Sequence, residues 1–217
     1  MVTNWYKKIN SKSTVVNPHY KNHMFNIPFR CIILGPSNSG KTNIVVEFIH
    51  RSPDTWNKII VCCKSRAEPL YEYLEQKIGN LIEFYEGIDN IPELDTINSD
   101  GSKEQTLVIF DDLVNETKQQ IIEDYFIRGR KKKCSMFYLA HDFARCPKLI
   151  RQQCNYIIIR KLPAGRNRMY VLREYGLGVT PEQLIELYRK ACMNEDLGFL
   201  TMDVDKMEFR KNFNQAI

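Results

Sequence analysis

The chain has 217 residues, of which 43% are hydrophobic and 26% charged, with a formal net charge of +5. That balance suits one well-buried α/β domain with an arm, and it excludes a collagenous, low-complexity or wholly disordered chain. No run approaches the roughly 18 to 20 apolar residues of a membrane span, and the start Met1-Val2-Thr3-Asn4-Trp5-Tyr6-Lys7-Lys8 lacks the apolar stretch of a signal peptide, so the chain reads as neither secreted nor membrane-spanning.

Residues 1–27 carry Lys7, Lys8, Lys12 and Lys21 and no acid, and read as a basic arm with at most short structure. The domain is expected over 28–217, with a core over 28–162 and a C-terminal helical extension over 163–217. Arg30 to Leu34 is a short apolar run of buried-strand type. A Gly/Ser-rich turn follows, then a helix from Thr42 in which Val45, Phe48 and Ile49 recur at helical spacing. Lys58 to Cys63 predicts a second buried strand and Pro69 to Lys77 a helix. Leu81 to Tyr85 is a short apolar piece, and Asp89 to Lys103 reads as a polar surface insertion. Thr106 to Phe110 predicts a third strand that ends on Asp111-Asp112. Asn115 to Phe126 has an N-cap candidate and one apolar face, which predicts a helix.

Ser135 to Ala140 and Tyr156 to Ile159 predict a fourth and a fifth strand, joined by a helical segment near Pro147 to Cys154. Thr180-Pro181-Glu182-Gln183 is a capping box with Pro at the first helical position, so a helix should run to about Ala191. After it, Phe199, Leu200, Met202, Met207 and Phe209 stand among charges, to pack on the core or on a neighbour. Buried strands alternating with helices mean a parallel sheet with helices on both faces. The seven cysteines include no C-x-x-C pair and read as reduced, mostly buried thiols.

Gly35-Pro36-Ser37-Asn38-Ser39-Gly40-Lys41-Thr42 fits G-x-x-x-x-G-K-[ST] between a predicted strand and a predicted helix. In such a loop backbone N–H groups curl around phosphates, Lys41 reaches the terminal phosphates of ATP, and Thr42 holds Mg²⁺. Leu107 to Asp112 has the form of a strand that delivers an acid to the edge where ligands bind open parallel sheets. Asp111 is expected in the Mg²⁺ shell. Asp112 either orients the attacking water or only caps the next helix. His141, at the tip of the fourth strand, is either a γ-phosphate sensor or a surface histidine. Arg128 and Arg130 either reach a neighbouring subunit's γ-phosphate or belong to a nucleic-acid-binding face.

The charge is segregated. Residues 66–124 hold 15 Asp and Glu against 4 Lys and Arg, whereas residues 125–173 hold 13 Lys and Arg against the single acid Asp142. Such self-repulsion points to a polyanionic partner, with nucleic acid first and nucleotide phosphates or partner proteins behind it.

Taken in order, Gly35 to Thr42, Leu107 to Asp112, Phe126-Ile127-Arg128-Gly129-Arg130, Phe137 to His141 and Cys146-Pro147-Lys148-Leu149-Ile150-Arg151 resemble the genome-packaging ATPases of poxvirus-like large DNA viruses, virophages and related mobile elements, a branch of the FtsK/HerA superfamily. The resemblance covers about residues 28–162. Two positions differ from the family's usual pattern: His141 stands where Gln is usual, and Arg130-Lys131 where Arg-His is common.

The resemblance implies a P-loop NTPase of RecA-like (ASCE) type with strand order 5-1-4-3-2. It implies a homo-oligomeric ring that translocates double-stranded DNA into a capsid, with a capsid or portal vertex protein as partner and no membrane. The place of action would be the host cell cytoplasm, a viral factory or the virion. Two other readings share the phosphate loop: a phosphotransferase of nucleoside-kinase type, and a packaging or replication adaptor that binds ATP with negligible turnover.

Overall fold

The computed structural model describes residue 3 and residues 15–98, 104–162, 166–193 and 195–217. In chain order the elements are α1 (Tyr20–His23), β1 (Arg30–Leu34), α2 (Lys41–Arg51), β2 (Lys58–Cys63), α3 (Pro69–Ile78), β3 (Ile82–Glu86), β4 (Thr106–Asp111), α4 (Gln120–Arg128), β5 (Cys134–Ala140), α5 (Lys148–Gln153), β6 (Tyr156–Ile159), α6 (Arg166–Glu174), α7 (Pro181–Cys192), β7 (Leu200–Asp203), β8 (Glu208–Lys211) and β9 (Gln215–Ala216).

The strands form one sheet in the order β3-β2-β4-β5-β1-β6-β7-β8-β9. From β3 to β6 every pairing is parallel, and β7 to β9 add an antiparallel edge. The five strands read from the sequence stand in the expected order, with β5 between β1 and β4. The apolar piece after α3 becomes β3, a further parallel strand outside β2.

Alternate residues of each central strand serve opposite layers, which is why the strands read as unbroken apolar runs. Ile32, Leu34, Val108 and Phe110 pack with Ile122 and Tyr125 of α4, Ile150 of α5 and Leu184 of α7. Cys31, Ile33, Leu107 and Ile109 pack with Val45 and Phe48 of α2 and Tyr71 and Leu74 of α3. Each such large side chain contributes about 1.5–3 kcal/mol on burial. All seven cysteines are buried, and burial pushes thiols such as Cys134 and Cys146 up to about 12. The capping box of α7 is reciprocal: Gln183 N–H donates to Thr180 Oγ1 at 3.3 Å and Thr180 N–H to Gln183 Oε1 at 2.9 Å.

Four expectations change. The body begins before Pro28: Phe25 is fully buried, stacked on Tyr156 at 4.0 Å between ring centroids, and His23 is buried against Phe48. Val16 exchanges two hydrogen bonds with the Gln105 side chain. Lys7, Lys8 and Lys12 of the expected arm lie outside the described residues.

The segment expected as a surface insertion buries Ile91, Leu94 and Ile97, and Ile88 just before it is buried with them. Two 3₁₀ turns put residues three apart on one face, and Tyr125 Oη donates to the Pro92 carbonyl oxygen at 2.8 Å. Residues 99–103 lie outside the described residues.

Helix α4 starts at Gln120, not at Asn115. The Gln119 side chain donates to the carbonyl oxygens of Leu113 (2.6 Å) and Glu116 (2.9 Å) and accepts from Tyr138 Oη (3.0 Å), which holds residues 113–119 in a turn.

The C-terminal extension is helical only through α6 and α7, because residues 200–216 extend the sheet from β6. The pair Asp203–Arg210, 3.2 Å apart and almost wholly buried, ties β7 to β8. No helix among the described residues is long and apolar enough to cross a membrane.

Candidate functional site

All six parallel strands point their C-terminal ends the same way, so the residues after Leu34, Cys63, Asp111, Ala140 and Ile159 share one edge of the sheet. The loop Gly35 to Gly40 leaves β1 at that edge. Gly35 N–H donates to the Ala140 carbonyl oxygen at 3.2 Å, and Ile44 N–H bonds back to Gly40 at 3.1 Å to open α2. Asn38 (φ 59°) and Gly40 (φ 87°) take left-handed backbone that turns the loop on itself. A Cβ at position 35 would meet Ser39 Oγ at 2.4 Å and the Arg160 Cβ at 2.9 Å, so only glycine fits there.

Lys41 reaches back over the loop and donates from Nζ to the carbonyl oxygens of Gly35 (2.9 Å) and Pro36 (3.0 Å). Burial lowers its pKa, against the pull of the Asp111 and Asp112 charges. Asp111 ends β4 and accepts a hydrogen bond from Tyr71 Oη of α3. Burial pushes the Asp111 carboxyl up, offset first by the Tyr71 hydrogen bond and then by Lys41. A cavity of about 390 Å³ is bounded by Ser37 to Asn43 of the loop and by Glu68, Leu70, Asp111 and Asp112 across from it. Lys41, Thr42 and both acids therefore face one space, of a size usual for small-ligand sites.

Asp112 has left-handed backbone (φ 56°), an unfavoured state for a residue with a Cβ, and its side chain is exposed. Its Oδ1 lies 3.3 Å from His141 Nδ1. His141 Nε2 stands 3.4 Å from Asn115 Nδ2, and Arg145 Nη1 donates to Asn115 Oδ1 at 2.6 Å. With the proton on Nδ1, one neutral tautomer serves both histidine contacts. The structure thus brings His141 to Asp112, while among the described residues His141 is not part of the cavity lining. Asn115 is engaged in this string of contacts and caps no helix.

Arg128 and Arg130 lie at the other edge of the sheet. Arg128 closes α4 and Arg130 lies between it and the start of β5, a strand of seven residues or roughly 20 Å from the phosphate-loop edge. Arg128 is paired within its own chain: Nη2 is 2.7 Å from Asp95 Oδ1, and Nη1 is 3.8 Å from Asp124 Oδ2. Asp95 raises the Arg128 pKa, and Arg128 holds Asp95 below the usual carboxylate range. Arg130 and Lys131 are exposed. The basic stretch is not one surface, since Arg160 is buried and Arg151 pairs with Glu174.

Three residues at the site escape a reading of motifs. Glu68 precedes Pro69, and an acid before a helix-opening proline, just past the end of a strand, is the signal that puts it on the cavity wall. Tyr71 stands one helical turn later, and only the packing of α3 brings it to Asp111. Arg160 follows β6 directly and donates from Nε to the Ser39 carbonyl oxygen at 2.6 Å. A charge at the end of a wholly buried strand was its signal.

The model of the family described as Poxvirus A32 protein matches residues 17–188. No curated protein matches the chain. Among solved structures, the genome packaging NTPase B204 from Sulfolobus turreted icosahedral virus 2, in complex with sulfate, superposes with a TM-score of 0.64 at 13% identity, over 89% of this chain and 98% of that one. The same protein in complex with AMPPCP gives 0.60 at 13% identity, over 89% and 100%. EssC (ATPases 2 and 3) from Geobacillus thermodenitrificans gives 0.51 at 12% identity, over 71% and 35%. At such identities these structures speak for the fold. The family match runs through more than three quarters of the sequence and takes in every residue of the cavity, and on that ground the chain belongs to the poxvirus A32 protein family.

Proposed function

We propose that this packaging ATPase hydrolyses ATP with Mg²⁺ to drive double-stranded DNA into a capsid, working as a homo-oligomeric ring at a capsid or portal vertex in the cytoplasm or viral factory of the infected cell. The observation that carries the reading is one cavity shared by the phosphate loop and the acid-ended strand β4 in a chain of this family.

The residues present fit a nucleotide. The loop leaves room for no side chain at Gly35, and Ser39 Oγ is buried with no hydrogen-bond partner among the described residues. A buried hydroxyl of this kind is ready to donate to an anionic ligand. Lys41 Nζ now spends its protons on two neutral carbonyl oxygens, and a terminal phosphate would be a stronger acceptor within reach of the same side chain. Thr42 and Asp111 would hold Mg²⁺, which neutralises charge on the transferred phosphoryl group when bound. Tyr71 keeps the Asp111 carboxylate oriented. Asp112, beside it on the cavity wall, would take or orient the proton of the attacking water, with His141 steadying its other oxygen.

DNA contact would fall to exposed cations, with Arg130 and Lys131 at one edge of the sheet and Arg145 and Lys148 at the other. Contacts to phosphates alone make binding salt-sensitive and indifferent to sequence. Because Arg128 is paired with Asp95, Arg130 is the better candidate for a guanidinium offered to a neighbouring subunit.

The test is steady-state ATP hydrolysis with and without long double-stranded DNA, at low and at moderate salt. DNA stimulation that fades with salt is expected. Turnover indifferent to DNA, or raised only by nucleosides, points instead to a phosphotransferase, and nucleotide binding with no turnover points to an adaptor. Beside it, Lys41→Ala should abolish nucleotide binding, whereas Asp112→Asn should bind and not turn over.

A further inference from the structure

We infer that Arg160 is a positioning residue that pins residues 196–198 to the phosphate loop, so that this C-terminal segment forms the wall of the site that meets the nucleobase. The inference rests on nucleotide binding at the phosphate loop.

Strand β6 lies beside β1 on the side away from β5 and β4. Arg160 N–H donates to the Leu34 carbonyl oxygen at 2.8 Å, which sets its side chain at the foot of the loop. That side chain is 3% exposed. Its guanidinium donates from Nε to Ser39 (2.6 Å), from Nη2 to Asp196 (2.9 Å) and from Nη1 to Gly198, each time to a backbone carbonyl oxygen. These contacts lie in segments nearly 160 residues apart, and they use the planar fork of arginine. A lysine ammonium on a flexible stem cannot hold all three.

The pinned segment is fixed on its other side as well. A Cβ at Gly198 would stand 2.4 Å from the Ala191 carbonyl oxygen, so the chain presses directly on the end of α7. Glu195 pairs with Lys211 and accepts from Asn212 Nδ2, and Phe199 N–H donates to Asn212 Oδ1 at 3.1 Å, which joins the segment to the turn after β8. Leu197 projects from it with half its surface exposed, and its Cδ2 lies 3.2 Å from where a Gly40 Cβ would be.

The strand order gives the ligand its direction. Asp111 and Asp112 stand two strands to one side of β1, and Arg160 with residues 196–198 stands on the other. A nucleoside triphosphate whose terminal phosphate lies toward Asp111 runs its phosphate chain across the loop and its ribose and base toward β6. An exposed apolar side chain on a rigid segment is what a flat aromatic base packs against.

The experiment compares ADP with inorganic triphosphate, which has phosphates and no base, by competition against a fluorescent ADP analogue on the full chain. Arg160→Lys should weaken both ligands at least tenfold, because the loop itself loses its support. Leu197→Asn, which removes the apolar side chain without adding charge beside the loop, should weaken ADP by a similar factor and leave triphosphate unchanged. Hydrogen exchange on the unmodified chain does not depend on any variant folding: ADP should protect amides 196–199 together with 37–43. Protection confined to 37–43, or a Leu197→Asn chain that binds ADP as the original does, overturns the inference while nucleotide binding stands. An unmodified chain that binds neither ligand overturns the nucleotide-site reading and this inference with it.

Discussion

Replacing Tyr71 with Phe removes one oxygen atom and leaves the ring, which is 1% exposed and packs 5.6 Å from Phe84, where it is. What is lost is the hydrogen bond to Asp111. A hydrogen bond to a charged group contributes about 1.5–3 kcal/mol, and here no water takes the hydroxyl's place without opening the packing of α3 on the sheet. The expected loss is about 2 kcal/mol at pH 7, which for a chain of this length lowers Tm by about 4–8 °C.

The pH dependence gives a second check. The Asp111 carboxyl is already raised by burial, and the Tyr71 bond is the largest influence that lowers it. In Tyr71→Phe its folded-state pKa therefore rises further above the unfolded value. The native state then holds a proton that the unfolded chain releases, so the variant gains stability relative to the original as pH falls. Urea melts of both chains at pH 7 and pH 5 should show a gap that narrows at the lower pH. Equal midpoints at pH 7, or a gap that widens on acidification, would refute the role given to Tyr71.

Three further outcomes are expected. Phe25→Ala should cost about 3–5 kcal/mol in a denaturant melt, because the ring fills a fully buried aromatic cluster with Phe29, Phe48 and Tyr156. His23, whose Nδ1 accepts from Phe25 N–H at 3.1 Å, has its pKa lowered by burial from 6.5 to about 4. The unfolded chain binds a proton in that window and the native one does not, so stability should fall by about 2 kcal/mol from pH 7 to pH 5, and His23→Asn should flatten that fall. Changing Arg130 and Lys131 together to Ala should weaken DNA binding alike for all sequences and reduce the salt slope by about 2, read from Kd against salt concentration.

The central sheet was legible because β1, β2, β4, β5 and β6 are buried on both faces and carry almost nothing polar between their ends. The antiparallel edge was not. In β7 and β8 the buried Asp203 and Arg210 neutralise each other across the pair, and such charges in a sequence look like surface. The anchoring of the N-terminal segment was hidden in the same way, since Phe25 and His23 stand among lysines and asparagines. Ile88, Ile91, Leu94 and Ile97 recur every third residue, a 3₁₀ spacing that a search for helical or strand periods passes over. At the site, the loop and Asp111 could be read from motif spacing alone. Glu68 and Tyr71 reach it from the start of α3 and Arg160 from the end of β6, and only the packing of the sheet and its helices makes them neighbours.

The position of β1 has a consequence for how the chain is made. Its neighbours on both sides, β5 and β6, are contributed by residues more than a hundred positions later, and the stack of Phe25 on Tyr156 spans a similar distance. Contacts of such separation slow folding, since the loop must close before any of them is made. On a ribosome, the strand that carries the phosphate loop therefore emerges without partners and waits until about residue 160 has been synthesised. Through that interval its apolar faces are open to chaperones or to other nascent chains. Nucleotide binding is in this sense a late event in the life of each molecule, available only after the second half of the sequence has closed over the first.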